Sequence, residues 1–217
     1  MPLMGVPDPG LRLMAGTVGI AIGPIPRVDG LRINWADREL DLVRGVNLTL
    51  WRPRSSVGGT VRGLSVGVIS PGARNLEGVS AGVLATMAEG RLQGVHGAGI
   101  TTVSRRAIRG ITAGGLAVVA GDRLEGVAAG GLAVVSGGSL NGIHLGGLVT
   151  VSGNDARGVQ LGGLAAISGH SAAGVQAGAL ATVAADRMEG VQVGGMAVMG
   201  GEEMIGLQIA GGVALTG

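Results

Sequence analysis

Cysteine, lysine, phenylalanine and tyrosine are absent from these 217 residues, and tryptophan occurs only twice. Without cysteine there is neither a disulfide framework nor a thiolate metal site. Without large aromatics, Val, Leu, Ile, Ala and Met must fill whatever core exists, so that core has to be thin. Long hydrophobic runs are also missing. No stretch of 18 apolar residues escapes interruption by Gly, Pro or charge, so no membrane-spanning helix is expected. The apolar segment from Leu13 to Ile25 is broken by Gly16, Gly19, Gly23 and Pro24 and makes a poor signal peptide. All 16 basic residues are Arg. Residues 1–109 carry 13 Arg against seven acids, net +6, and residues 110–217 carry three Arg against seven acids, net −4. The basic half has its arginines scattered along the sequence and no aromatic platform for bases, which argues against a nucleic-acid partner.

Glycine is what the chain has in excess, at 46 residues. It does not fall at every third position, which excludes collagen, and 46% hydrophobic against 14% charged residues excludes solvated disorder. Instead Gly78, Gly94, Gly110, Gly126, Gly142, Gly158, Gly174, Gly190 and Gly206 recur every 16 residues. Gly30, Gly45 and Gly63 head similar phrases upstream at spacings of 15, 18 and then 15. Positions below are counted from this marker glycine. Position +1 is always branched and apolar (Val127, Ile143, Val159, Val175, Val191), and positions −2, +6 and +9 are apolar in nearly every unit. A glycine pair such as Gly130-Gly131 precedes position +6.

Short β-branched runs bounded by Gly, Asp and Asn read as strands, and no unit has a glycine-free stretch long enough for a helix. The expectation is an all-β, single-stranded parallel β-solenoid with 16-residue coils, in which identical positions stack about 4.8 Å apart. Residues 1–62 read as an irregular N-terminal cap with atypical coils, plugged by Trp35 and Trp51. Residues 63–217 read as the regular solenoid, nine coils from Gly78, with no C-terminal cap evident. Val127, Ile143, Val159, Val175 and Val191 are expected to form a core ladder. Gln160, Gln176, Gln192 and Gln208, at position +2, are expected to hydrogen-bond as a structural ladder. A corner at the glycine pair would turn the Leu column at +6 inward; a strand running straight through would leave it as an exposed apolar stripe.

Chemistry-bearing sets are weak. His96 and His144 stand three coils apart, about 14 Å, too far to share a metal. Isolated Asp residues supply too few oxygens for calcium. The Ser136, Ser152 and Ser168 column has no recurring base beside it, and the glycine-rich runs lack the Lys of a phosphate loop. No catalytic residue, metal site, cofactor or small-molecule substrate is therefore expected.

The phrases Gly-Val-Gln-Leu-Gly-Gly-Leu-Ala, Gly-Ile-His-Leu-Gly-Gly-Leu-Val and Gly-Leu-Gln-Ile-Ala-Gly-Gly-Val, from Gly158, Gly142 and Gly206, resemble the uncharacterised glycine-rich surface-repeat proteins of bacteria. The stretch from Arg27 to Leu40, with Val43 to Trp51, is similar to the lead-in of such arrays. The resemblance implies export or a surface location, at the cell surface or in the periplasm or outer membrane, and no known catalysis. The expected function is a non-enzymatic structural or interaction module of the cell envelope, self-associating through an end or a lateral face. The alternatives are an outer-membrane or membrane-associated β-barrel, or a subunit assembling through its uncapped end or a Leu/Val stripe.

Overall fold

The structure, a computed structural model, describes residues 10–37, 40–51 and 58–217. It opens on a hairpin of β1 (Leu11–Ala15) and β2 (Val18–Ile22), antiparallel and joined by Gly16 and Thr17. Strand β2 then pairs in parallel with β3 (Arg27–Asn34), and β4 (Leu42–Thr49), β5 (Thr60–Gly67), β6 (Gly72–Gly82) and β7 (Ala85–Ala98) each pair in parallel with the strand before. From Thr101 onward each coil has a four-residue strand and one of seven or eight residues, as in Ala117–Ala120 followed by Arg123–Gly130. These stack in parallel on their counterparts one repeat away. The fold is thus a parallel β-solenoid. A barrel of antiparallel strands is excluded, because successive coils run parallel and their interior is filled by side chains.

The marker glycine sets the register throughout. Gly19, Gly30, Gly45, Gly63 and Gly78 are direct partners, and the column continues to Gly206. Each has φ between 104° and 143°, where L side chains are strained. At Gly126 a Cβ would also lie 2.2 Å from the carbonyl oxygen of Gly110 in the preceding coil. The change of period from the upstream coils to the regular ones is absorbed between Ala73 and Asn75, where the register of β6 on β7 shifts.

Alternation about this glycine decides what is inside. Positions −2, +2, +4, +8 and +10 face inward; Leu124, Ala128, Gly130, Val134 and Ser136 are all buried. The apolar core is chiefly the −2 column, with Leu76, Leu92, Ile108, Leu124, Leu140 and Met188 at most 1% exposed, assisted by Val118, Val134 and Val198.

Two sequence expectations are corrected here, and one open alternative is decided. The column Val127, Ile143, Val159, Val175 and Val191 does stack in register, but outside rather than in the core. Ile143 is 45% exposed, because odd positions point away from a strand whose even positions point in. The Leu column at +6 also faces outward, with Leu132 and Leu148 about 45% exposed, although a corner is present at the glycine pair. The inside of that corner is occupied by backbone: a Cβ on Gly130 would sit 2.1 Å from the Ala133 oxygen. Trp35 and Trp51, finally, are not plugs. They lie on the outside, 64% and 48% exposed, stacked with ring centroids 5.9 Å apart and planes 7° from parallel. A one-layer interior has no room for indole rings. At the N-terminal end of the described stack the antiparallel hairpin lies over the first parallel coil instead.

Candidate interaction surface

Half of each coil's perimeter is apolar on the outside. From +1 to +9 the outward positions are a Val/Ile column, an Ala/Leu/Val column, the Leu ridge, an Ala-rich column at +7 and a Val column at +9. Ile111, Val127, Leu116, Leu132, Leu148 and Leu164 are each between 38% and 56% exposed. Around the ridge the backbone is hydrogen-bonded along the stack. Leu132 N donates to Leu116 O at 2.7 Å, Gly131 N to Gly114 O and Ala133 N to Leu116 O. The apolar half therefore presents no orphan amide at its corner, which is what a surface covered by an apolar partner requires. The strand facing +7 and +9 is flat, since Ala117, Ala133, Ala165, Ala181 and Ala197 stack in one line.

The other half is polar. Arg62 pairs with Glu77 at 2.8 Å, Arg109 with Glu125 at 2.9 Å and Arg187 with Glu203 at 2.9 Å, one coil apart in each case. Such exposed pairs fix little energy, roughly 0–1 kcal/mol each. The polar corner at +11 and +12 carries Arg105 and Arg106, then Asp122, Asn154, His170, Asp186 and Glu202. Arg105, Arg106, Asp186 and Glu202 make no ion pair or side-chain hydrogen bond among the described residues.

Inside, position +2 is a polar column running the length of the rod: Arg32, Asn47, Ser65, Ser80, His96, Thr112, His144, Gln160, Gln176 and Gln192 are buried, interrupted by Ala128. The glutamines form the hydrogen-bonded ladder. Gln176 Nε2 donates to Gln160 Oε1 at 3.0 Å, Gln192 to Gln176 at 3.0 Å and Gln208 to Gln192 at 3.1 Å. Each also crosses the coil to a backbone oxygen at +9: Gln160 to Ile167, Gln176 to Val183 and Gln192 to Met199. Thr102 and Thr150 at +8 donate to the oxygens of Ala113 and Leu161 in the next coil, and Ser152 at +10 reaches those of Gly138 and Asp155. The threonine hydroxyls tie each of these four-residue strands to the longer strand that follows it.

At the N-terminal end the column closes in a network the sequence reading missed. Asp37 accepts from Arg32 Nη1 at 3.0 Å, Asn34 Nδ2 at 3.2 Å, Asn47 Nδ2 at 3.2 Å, Thr49 Oγ1 at 2.9 Å and Gly72 N at 3.1 Å. Burial pushes the Arg32 guanidinium down and Asp37 beside it opposes that. The available signal was the marker register, which puts Arg32 and Asn47 in the same column as the glutamines. Burial lowers His96 to about 4, a hydrogen bond to the Gln93 backbone opposing, and lowers His144 to about 4. His96 Nδ1 meets Ser80 Oγ at 2.6 Å. The Nε2 atoms of both histidines lack a partner.

Apart from the partly exposed Gln208 these interior groups are buried, and among the described residues no three His, Asp or Glu side chains are placed to hold a metal ion. No helix is present among the described residues to cross a membrane, which leaves strand-based membrane contact untouched. No family model, curated protein or solved structure matches the chain.

Proposed function

We propose that this chain is a non-enzymatic structural module of the bacterial cell envelope, a stiff rod whose working surface is its apolar outer half. The observation that carries the reading is the pairing of two features along the regular coils: an interior crossed by side-chain hydrogen bonds, densest from Gln160 to Gln208, and a continuous exposed Leu/Val surface on one side. The first makes the rod rigid, and the second needs covering, since contiguous apolar patches of more than a few hundred Å² mark interaction sites. The resemblance to surface-repeat proteins supplies the envelope location. Fractionation of bacteria expressing the full chain tests it. Recovery with the envelope, and removal by protease added to intact cells or spheroplasts, is the expected result. Recovery wholly in the cytosol overturns the location.

A further inference from the structure

The apolar half is bounded differently on its two sides. Beyond position +1 lies the −1 column, where Glu77, Arg109, Glu125, Arg157 and Glu189 alternate in sign. Beyond +9 lies the +11/+12 corner, where Glu89, the Arg105–Arg106 pair and Asp122 occupy successive coils, three uncharged coils follow, and Asp186 and Glu202 stand five and six coils on from Arg105 and Arg106. Arg105, Arg106, Asp186 and Glu202 have no partner of their own among the described residues. Between that charged corner and the Leu ridge lies the flat face of the four-residue strands, Ala at +7 and Val or Ile at +9.

We infer that this short-strand face seats a second copy of the chain, packed antiparallel, with Leu ridge beside Leu ridge and the Arg105–Arg106 corner beside the partner's Asp186. The inference rests on reading the apolar half as the working surface and adds what covers it and in which direction. Symmetry selects the orientation. A two-fold axis along the rod would lay the Leu ridge of one copy on the charged corner of the other. A two-fold axis lying in the interface across the rods keeps like edge with like edge and reverses the direction of the coils. Only the second sets Leu against Leu, and it sets arginine against carboxylate twice. With the coil of Arg105 opposite that of the partner's Asp186, Asp122 faces the partner's His170. Glu89 then faces the partner's Glu202, a like-charge pair flanked by Arg105 and Arg106 of the neighbouring coil. The size fits: in this register about eight regular coils of about 4.8 Å overlap, and with a width of about 15 Å they give about 580 Å² per copy, or about 1,150 Å² in all, above the roughly 1,000 Å² a specific interface needs.

Light scattering on the full chain tests this, with twice 21.2 kDa expected. Replacing Leu132→Asp and Leu164→Asp together, both exposed, is expected to leave the circular-dichroism spectrum intact and give monomers. Arg105→Glu with Arg106→Glu is expected to weaken the dimer about tenfold or more at low salt and less in 0.5 M salt. Adding Asp186→Arg and Glu202→Arg to that variant is expected to restore it. Direction is read by cysteines introduced into this cysteine-free chain and a short bismaleimide linker. Val103→Cys mixed with Val183→Cys should cross-link, and neither alone should. Cross-linking of Val103→Cys with itself overturns the antiparallel arrangement. A monomer at all concentrations overturns the dimer. If that monomer binds phospholipid vesicles, the apolar half is still the working surface and only the second copy is excluded.

Discussion

At the scale of single residues, the marker glycines and their look-alikes are told apart by geometry rather than by composition. Gly126 combines φ 111° with a carbonyl oxygen 2.2 Å from where its Cβ would be, while a Cβ on Gly97 would meet nothing within 4 Å. Gly126→Ala is therefore expected to cost more than about 2 kcal/mol, and Gly97→Ala to gain roughly 0.4–1 kcal/mol through the unfolded chain; urea melts of the two variants check the opposite signs. The buried histidines give a second prediction. Both are lowered to about 4 in the fold against about 6.5 unfolded, so the unfolded chain binds more protons between those values. Stability is full above pH 6.5, falls as pH drops toward 4 and levels off below, by up to about 3 kcal/mol per histidine. His144→Gln, which sits directly under Gln160 in register, would extend the amide ladder by one step and remove about half of that acid loss. An acid limb unchanged in the variant would contradict the assignment.

Among these residues the sequence was legible where a column's own chemistry names its partners. The glutamines at +2 stand out as a run, and hydrogen bonding between them follows from strand spacing. The Val column at +1 misleads, because hydrophobicity was read as burial. One face of a thin coil has fewer inward positions than the chain has aliphatic residues, and the remainder face outward as Ile143 does. The Asp37 network was half hidden: the marker register puts Arg32 and Asn47 in the +2 column, but Asp37 itself stands at +7 from Gly30, a position that faces outward in the regular coils.

At the scale of the element, the coil is the unit, and each is held mainly by its neighbours one repeat away. Deleting one whole repeat, Gly126–Asn141, joins Glu125 to Gly142 and keeps every column in register. The shortened chain is expected to retain the strand spectrum and a cooperative melt a few degrees lower. A deletion one residue shorter than the repeat instead shifts every inward side chain downstream by one position and should destroy folding of that part. The strands and the period were readable from sequence, and a corner at the glycine pair was one of the two readings it allowed. The direction of the ridge at that corner was not, since it depends on the Ala133 oxygen filling the inside of the bend beside Gly130, a contact between backbones that no side-chain pattern records.

At the scale of the whole molecule, every bond of the glutamine ladder runs the same way, each side-chain amide donating toward the coil before it. The corner amides of Leu132, Leu148, Leu164 and Leu180 do likewise. The sheet strands contribute little net dipole, so these aligned amides are left uncancelled, positive toward the N-terminal end. The formal charges of the described residues, +5 through residue 109 and −4 beyond it, point in the same sense. A single rod therefore carries a permanent electric moment along its long axis. In dilute solution an applied pulse would swing such rods into alignment and make the sample birefringent, whereas two rods lying head to tail side by side would cancel and give almost no signal.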